Sequence, residues 1–353
     1  MPEPDVTGPS SVRAAVIGVG AMGRHHARVY SELDATDLVG IADPDADGAA
    51  WVQRRHRVPA YSDYRELLER ERPDIVSLAV PTQQHLPIAL DVIASGAHLL
   101  IEKPIAASVE EARQIIDAAA GAERVLTVGH VERFNPAVVE LRRRMLDGEL
   151  GHVFTILARR MGPFPARVRD VGVVVDLATH DLDIISWIVG SPVERVYAET
   201  SRRIHTDHED LLSGLLRFET GEIGVLNINW LTPTKIRELA VTGERGMFVA
   251  DYLHQDLVFY ENVAADRHWE DYGVLQGVGE GSMTRLRIDR REPLAAQLEA
   301  FAAAVKDGTP PAVSGADGLR ALQLALELVA SGRDNRVLDH AGSPKGSVSG
   351  AGQ

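Results

Sequence analysis

One lysine stands where a predicted strand ends, at a position suited to polarising a bound oxygen. The apolar run that starts at His98 leads directly into Glu102-Lys103-Pro104. In an open parallel sheet, ligands bind beyond the carboxyl ends of the strands, so the ammonium of Lys103 is expected in a ligand cleft. A positive charge there stabilises an oxygen that gains negative charge during a reaction. An ordinary loop lysine is the alternative.

A carboxylate and an imidazole are spaced one helical turn apart later in the chain. In Asp176-Leu-Ala-Thr-His180, a helix over residues 176–189 puts both side chains on one face. Histidine titrates near neutral pH and a carboxylate neighbour tunes it, so the pair suits proton transfer during oxidation of an alcohol. The alternative is that Asp176 caps the helix and His180 is a hydrogen-bonded core residue.

A glycine-rich turn near the start of the chain predicts a dinucleotide site. Gly18-Val-Gly20-Ala21-Met22-Gly23 follows an apolar strand and opens a helix. Gly18 permits a tight turn, Gly20 lets a pyrophosphate approach the backbone, and Gly23 lets helix and strand pack closely. The N–H groups at the helix start then face the phosphates. A glycine turn in an α/β domain that binds no nucleotide is the alternative.

An acidic residue at the end of the second strand favours NAD over NADP. Asp43 lies 20 residues past Gly23, where it can accept hydrogen bonds from the adenosine ribose and would repel a 2′-phosphate. Residues 44–47 contain no arginine to replace it. The adjacent His25 and His26 lack further ligands at matching spacing, so no metal is expected. They are interpreted as surface residues or polar neighbours of the cofactor.

The order of the predicted elements gives the fold class, α/β. Over the first 125 residues, strands and helices alternate at about 30 residues per unit, typical of a Rossmann doubly wound parallel sheet. After residue 150, closely spaced strands predict an α+β domain with a large open, mostly antiparallel sheet, with helices at 177–189, 293–306 and 318–331. The expected domains are residues 12–128 and 129–335, with the last helix packing back on the first domain. Residues 1–11 and 341–353 are expected to be flexible tails.

The composition is that of a globular protein and disfavours several classes of partner. The 353 residues are 45% hydrophobic and 25% charged, with a formal net charge of −14 and no cysteine. The acidic balance argues against binding to nucleic acid or anionic membranes, and the absence of cysteine removes disulfides and thiolate chemistry. No apolar run reaches the roughly 18 residues of a membrane span, and the first residues do not resemble a signal peptide. A cytoplasmic location is expected.

The motifs, in their order along the chain, resemble the Gfo/Idh/MocA oxidoreductase family over residues 12–335. They are the glycine turn, Pro81-Thr82-Gln-Gln-His85, Glu102-Lys103-Pro104 and Asp176-x-x-x-His180. The resemblance implies a Rossmann domain, a second domain with an open sheet, a tightly held NAD(H) or NADP(H), and a sugar or polyol secondary alcohol as substrate.

The same resemblance implies roles for particular residues. Lys103 and His180 would contact the reacting hydroxyl, with His180 the acid/base, and Asp176 would bind a neighbouring hydroxyl. The peptide before Pro104 is often cis in this family. The residues assigned to the cofactor are Gly18, Gly20, Ala21, Met22, Gly23, Asp43, Pro81, Thr82, His85, Glu102 and Lys103.

Residues 129–137 and 167–176 look like those of family members that oxidise a nucleotide sugar at C3. Four arginines crowd the segment just before Asp176, with only Asp170 opposing them, and their local positive field suits a diphosphate. They are Arg159, Arg160, Arg167 and Arg169, and Arg133 is expected near the same cleft. Pairing of these arginines with the protein's surplus carboxylates is an equal alternative. The residues assigned to the substrate are Arg133, Asn135, Arg160, Arg167, Arg169 and Asp176.

The sequence therefore predicts an NAD-dependent dehydrogenase of a nucleotide sugar such as a UDP-hexose or a UDP-N-acetylhexosamine. The alternatives are an inositol or monosaccharide dehydrogenase and, in another class, a non-catalytic NAD-binding regulator. A homodimer or homotetramer is expected, because family members bury the outer face of the open sheet. Leu215, Val225 and Ile228 belong either to that face or to the core.

Overall fold

The computed structural model describes residues 11–165, 171–205, 207–262 and 281–340. The chain forms two compact units, Met1–Asn135 with Arg291–Leu322, and Pro136–Arg290 with Gln323–Gln353. The expected domains are each continuous, whereas the structure returns the chain to the first unit at Arg291. The reason is hydrophobic, because Leu298 and Phe301 are buried in the core of the first unit.

The elements of the described residues alternate between helix and strand in the first part of the chain and are mostly strands in the second. The helices are α1 (Ala21–Glu32), α2 (Ala46–His56), α3 (Tyr64–Glu71), α4 (His85–Ala94), α5 (Val109–Gly121), α6 (Pro136–Leu146), α7 (Thr179–Val189), α8 (Pro293–Asp307) and α9 (Gly315–Asp334). The strands are β1 (Val12–Ile17), β2 (Thr36–Ala42), β3 (Ala60–Tyr61), β4 (Ile75–Leu78), β5 (His98–Ile101), β6 (Leu126–Val128), β7 (Val153–Pro163), β8 (Val193–Ser201), β9 (Leu211–Phe218), β10 (Ile223–Asn229), β11 (Leu231–Gly243), β12 (Gly246–Asp251), β13 (Asp256–Glu261), β14 (Met283–Leu286) and β15 (Leu338–Asp339).

The first unit is built on a parallel sheet, six strands wide in the described residues, in the order β3-β2-β1-β4-β5-β6. Its strands are apolar nearly throughout because helices cover both faces. Asp45, Asp63 and Ser108 accept backbone N–H groups at the starts of α2, α3 and α5, which fixes where those helices begin. The order reverses beside β1, which places a ligand crevice at the carboxyl ends of β1 and β4. This is the expected Rossmann domain.

The second unit contains a sheet of nine strands among the described residues, in the order β14-β13-β12-β11-β7-β10-β9-β8-β15. Neighbours run antiparallel except β7 and β10, which are parallel, so the expectation of a mostly antiparallel sheet is confirmed. One face packs on α6, α7 and the second half of α9. Side chains alternate between the faces, as strand geometry requires.

The alternation decides which apolar side chains remain on the outer face. Leu215 is 45% exposed and Val225 is half-buried, whereas Ile228 is fully buried and belongs to the core. No helix of the described residues combines the length and the apolar character needed to cross a bilayer.

Candidate active site

The glycine turn between β1 and α1 leaves open space where a pyrophosphate would bind. Gly18 has a φ of +85°, and a Cβ there would lie 2.6 Å from the carbonyl oxygen of Ala79. A Cβ on Gly23 would lie 1.8 Å from the carbonyl oxygen of Gly18, so only glycine lets α1 pack this closely on the turn. By contrast, a Cβ on Gly20 would meet no atom within 4 Å. The backbone at Gly20 is therefore accessible to a ligand.

The first turn of α1 adds an environment that favours an anion. Gly20 precedes the helix and has no side chain to cap its N–H groups. Ala21 is exposed, Met22 is 39% exposed, and no acidic residue occupies the first turn. Unsatisfied N–H groups and the helix dipole together attract negative charge. The turn and the helix start thus fit the pyrophosphate of NAD.

Asp43 is held beside the glycine turn by two backbone hydrogen bonds. The N–H of Val19 donates to its Oδ2 at 2.6 Å, and the N–H of Asp45 donates to its Oδ1 at 2.8 Å. Each oxygen keeps a further lone pair for a ribose hydroxyl. A cavity of about 350 Å³ adjoins the carboxylate. Its lining includes Gly18, Asp43, Asp63, Tyr64, Val80 and Gln84.

His85 connects the turn that follows β4 to the turn that follows β5. Its ring is buried, with Nε2 at 3.0 Å from the carbonyl oxygen of Val80 and Nδ1 at 3.0 Å from that of Pro104. Burial lowers the pKa of His85, although the carbonyl contacts act in the opposite direction. Pro81 is exposed and Thr82 is half-buried. His85 thus holds two loops together, while Pro81 and Thr82 lie at the surface of the same sheet edge.

The Glu102-Lys103-Pro104 turn follows β5 directly, as the sequence predicts, and the peptide between Lys103 and Pro104 is cis. Lys103 is half-buried, whereas Glu102 is only 8% exposed. Burial raises the pKa of Glu102, but a hydrogen bond from His26 and the charge of Lys103 outweigh burial, so the pKa lies below its ordinary value. Glu102 is therefore an ionised carboxylate inside the protein, next to the candidate catalytic lysine.

The two adjacent histidines of α1 have different environments. His25 is exposed, in agreement with the sequence interpretation. His26 is fully buried, and its Nε2 lies 2.8 Å from Oε1 of Glu102, so the interpretation as a surface residue is wrong for His26. Residue spacing gives no signal for this pair, because 76 positions separate the two residues.

In the second unit, Asp176 and His180 lie where the chain enters α7. Residues Val174–Ala178 form a π-helical turn that continues into α7, whereas the sequence predicts a regular α-helix there. Asp176 and His180 are both half-buried, and the N–H of Asp176 donates to the carbonyl oxygen of Gly172 at 3.0 Å. Single π-helical turns within α-helices occur often at functional sites.

Glu209 fixes the start of this helical segment and was not found by sequence reasoning. The N–H of Val173 donates to its backbone carbonyl at 2.9 Å, and the N–H of Val174 donates to its carboxylate at 3.3 Å. A Cβ on Gly172 would lie 2.0 Å from the same carboxylate, so a larger residue there would displace the Glu209 side chain. The glycine before a predicted helix was the available signal, but it did not identify the partner.

The arginines of β7 are paired within the protein. Nε of Arg160 donates to Asp181 at 2.7 Å and its NH2 donates to the other oxygen at 3.1 Å, and both side chains are at most 4% exposed. Arg159 contacts Glu238 at 3.1 Å in a more exposed pair. For these two residues the structure matches the alternative of pairing with the protein's own carboxylates. Asp181 directly follows His180, so the buried pair ties α7 to the sheet.

Arg133 and Asn135 are also buried and have partners within the first unit. Arg133 contacts Asp317 at 3.2 Å and donates to the carbonyl oxygen of Ala312 at 3.2 Å. Burial raises the pKa of Asp317, but the charge of Arg133 outweighs it and lowers the pKa to about 2. Asn135 lies 3.4 Å from the carboxylate of Glu132.

Two further residues assigned to the substrate, Arg167 and Arg169, lie outside the described residues. The expectation that a cluster of arginines binds a diphosphate is therefore a prediction for them, and the described arginines have their own carboxylates.

Comparisons with known proteins define the class of the chain. Residues 12–130 match the oxidoreductase family with an NAD-binding Rossmann fold, and residues 138–249 match the GFO/IDH/MocA C-terminal domain. The protein is thus an NAD-dependent oxidoreductase, which confirms the predicted class and cofactor. The chain belongs to the Gfo/Idh/MocA family.

Individual relatives extend the likeness over most of the chain. A UDP-N-acetylglucosamine 3-dehydrogenase from Acidithiobacillus ferrooxidans is 30% identical over 317 residues, 90% of this chain and 96% of that enzyme. A solved structure of that enzyme matches with a TM-score of 0.82 at 29% identity, covering 92% of this chain and 98% of that one. A myo-inositol 2-dehydrogenase from Thermotoga maritima is 28% identical over 326 residues, 89% of this chain and 94% of that enzyme.

Proposed function

We propose that this protein oxidises a secondary hydroxyl, at C3, of a UDP-hexose or UDP-N-acetylhexosamine to the keto sugar with NAD⁺. The likeness to a UDP-N-acetylglucosamine 3-dehydrogenase, at 30% identity over 96% of that enzyme, carries the proposal. The chain keeps the residues that such chemistry needs, a lysine at the end of β5 and an aspartate and a histidine at the start of α7.

Each of these residues has a separate task in the oxidation. When bound, NAD⁺ supplies a hydride acceptor at C4 of its nicotinamide ring. His180 takes the proton of the reacting hydroxyl, while the carbon gives up its hydride and becomes a carbonyl carbon. Lys103 polarises the oxygen and stabilises the alkoxide charge that develops on it. Asp176 accepts a hydrogen bond from a neighbouring hydroxyl and so orients the sugar.

The cofactor roles follow from the first unit. Gly18, Gly20 and Gly23 form the cradle for the pyrophosphate, and Asp43 receives the adenosine ribose. The fixed carboxylate of Asp43 supports the preference for NAD, because it would repel a 2′-phosphate. The NAD-binding half of the site is completed by the other residues that the sequence analysis assigns to the cofactor, among them Pro81, Thr82 and Glu102.

The direct test is turnover with a panel of UDP-sugars, followed by absorbance of NADH, with the keto position read by NMR. Lys103→Ala and His180→Ala are expected to abolish turnover and to leave NAD binding largely intact. Lys235→Ala and His254→Ala remove the same residue types at exposed positions elsewhere and are expected to turn over normally. Near-normal turnover of either site variant would refute the role assigned to that residue.

Inositol oxidation is the second candidate, because a myo-inositol 2-dehydrogenase is 28% identical over 94% of its length. The pairing of Arg133, Arg159 and Arg160 with carboxylates also removes part of the argument for a diphosphate site. Titration with UDP distinguishes the two candidates, since only a nucleotide-sugar enzyme is expected to bind it. Protein that binds NAD but oxidises neither UDP-sugars nor inositols would be the non-catalytic regulator.

We also propose that two or four copies assemble through the outer face of the nine-stranded sheet. Leu215 is 45% exposed there, and Val225 is half-buried on the same face. Leu215→Glu is expected to reduce the molar mass in light scattering to that of a monomer. Leu146→Glu, at a residue of α6 that is 72% exposed, is the control that keeps the wild-type mass. A monomeric wild-type protein would reject the proposed assembly.

A further inference from the structure

A chain of buried polar groups runs from α1 to the turn that carries Lys103. His26, fully buried on α1, has Nε2 at 2.8 Å from Oε1 of Glu102 and Nδ1 at 3.0 Å from Oγ of Ser77 on β4. The hydroxyl of Tyr30, one helical turn further along α1, lies 2.9 Å from the same Oγ. Ser77 and Tyr30 are also fully buried. The chain therefore joins α1, β4 and the turn after β5 through direct side-chain hydrogen bonds.

The acceptor at one end sets the direction of these hydrogen bonds. The ionised carboxylate of Glu102 can only accept, so Nε2 of His26 donates to it. In the neutral ring Nδ1 then accepts, and the hydroxyl of Ser77 donates to it. The Ser77 oxygen is left to accept from the hydroxyl of Tyr30. Each of the three hydrogen bonds of the chain then pairs one donor with one acceptor, as buried polar groups require.

Glu102 is confined on its other sides as well. Its backbone N–H donates to the carbonyl oxygen of Leu78 at 2.9 Å, and a Cβ on Gly129 would lie 2.9 Å from its carboxyl carbon. Lys103 is the next residue along the chain. This close packing leaves the Glu102 carboxylate little room to move independently of the backbone that carries Lys103.

We propose that His26 is a positioning residue, which fixes Glu102 and through it the Lys103 turn, and so links the pyrophosphate-binding helix to the lysine of the reaction. His26 lies six residues after Gly20 on the helix whose first turn binds the pyrophosphate. The inference rests on the role of Lys103 given under the proposed function. It adds a residue that touches neither substrate nor the reacting atoms.

Substitution of His26 separates positioning from simple packing. His26→Leu fills similar space but removes the donor to Glu102, and turnover is expected to fall about 10- to 100-fold because small displacements of a catalytic group are costly. His26→Gln keeps an N–H at the position of Nε2 and is expected to recover most of the loss. The Kd for NAD is expected to change less than turnover in both variants, since the glycine cradle for the pyrophosphate and the ribose-binding Asp43 are untouched.

His56→Leu is the matched control. His56, on α2, is also bonded to a serine, with Nδ1 at 2.9 Å from Oγ of Ser31, but it is half-buried and has no role in the site. Its variant is expected to turn over as wild type. Ser77→Ala removes only the far part of the chain and is expected to fold even where His26→Leu does not. Its turnover is expected to fall about two- to fivefold with unchanged NAD affinity.

Two further readouts do not depend on a packing defect. Loss of the His26 donor leaves burial as the main influence on the pKa of Glu102, so that pKa is expected to rise. The other charged or titratable neighbours of Glu102 are Lys103 and His85. Turnover of His26→Leu is therefore expected to fall on acidification at a higher pH than turnover of wild type. In the cofactor-free protein, the amine of Lys103 is expected to react with an acylating reagent at a rate changed by at least about threefold, measured by peptide mass spectrometry.

The outcomes distinguish this inference from the proposed function. If Lys103→Ala is inactive while His26→Leu and Ser77→Ala match His56→Leu in turnover and lysine labelling, the positioning role is wrong and the function stands. Equal losses in His26→Leu and His26→Gln, with unchanged labelling, would likewise overturn it. If Lys103→Ala retains turnover, the function fails first, whereas labelling still reports whether His26 fixes the turn.

Discussion

The pair of Arg160 and Asp181 gives a prediction that separates a structural role from a substrate-binding role. Its two hydrogen bonds, of 2.7 and 3.1 Å, form a bidentate contact between side chains that are at most 4% exposed. Arg160→Met removes one partner and leaves the carboxylate of Asp181 buried without it. Breaking such a pair costs about 3–5 kcal/mol. For a unit of this size, the loss corresponds to a decrease in Tm of roughly 10 °C.

The assay is thermal unfolding of Arg160→Met beside Arg159→Met. Arg159 is the neighbouring residue, and its pair with Glu238 is 38% and 31% exposed, so its loss is expected to cost less than about 1 kcal/mol. Arg160→Met combined with Asp181→Leu removes both charges and is expected to recover part of the stability.

Measuring KM for a UDP-sugar tests the alternative that Arg160 binds substrate. If Arg160 binds the diphosphate, Arg160→Met raises KM, while its Tm stays equal to that of Arg159→Met. That result would refute the assignment of Arg160 to Asp181. The buried pair predicts the reverse, a lower Tm with little change in KM of the folded fraction at low temperature.

Two further predictions concern the first unit. Gly20→Ala is expected to keep the wild-type Tm, because a Cβ there meets no atom within 4 Å, but to raise the Kd for NAD at least about tenfold by filling the space of the pyrophosphate. Gly23→Ala is expected to lower Tm as well. Equal NAD affinity of Gly20→Ala and wild type in calorimetry would contradict the pyrophosphate cradle. The pKa of Asp317 is lowered from 3.8 to about 2, so ionisation stabilises the folded state above about pH 4, and this contribution is lost as the pH falls toward 2. After solvent screening it amounts to about 1 kcal/mol, so denaturant unfolding of Asp317→Asn should show that deficit at pH 7 and almost none near pH 2; an equal deficit at both values would contradict the ionic origin.

Features set by neighbouring residues could be predicted from the sequence. The glycine turn and the strands of the first unit depend on backbone conformation and hydropathy within a few residues, whereas the cis peptide before Pro104 was expected from the family resemblance. A φ of +85° at Gly18 is a local requirement, so a glycine spacing predicts it. The position of Asp43 follows in the same way from the length of one strand–helix–strand unit.

Features that depend on distant partners could not be predicted. The sequence leaves open whether Arg133 and Arg160 bind a diphosphate or pair with carboxylates, because Asp317 lies 184 residues from the first and Asp181 lies 21 residues from the second. The start of the π-helical turn that carries Asp176 is hydrogen-bonded to Glu209, which is remote in sequence and offers no periodicity to detect. Apolar alternation likewise fails to show that α8 belongs to the first unit.

The amino-acid sequence by itself determined the two kinds of sheet, the dinucleotide turn and the candidate chemistry of Lys103, Asp176 and His180, because each is encoded in a short run of residues. Only the tertiary structure decided which charged side chains form ion pairs within the protein and that His26 donates a hydrogen bond to Glu102. A hydrogen bond or ion pair acts over about 3 Å of space regardless of separation along the chain. The fold, not the spacing of residues, therefore chooses the partners.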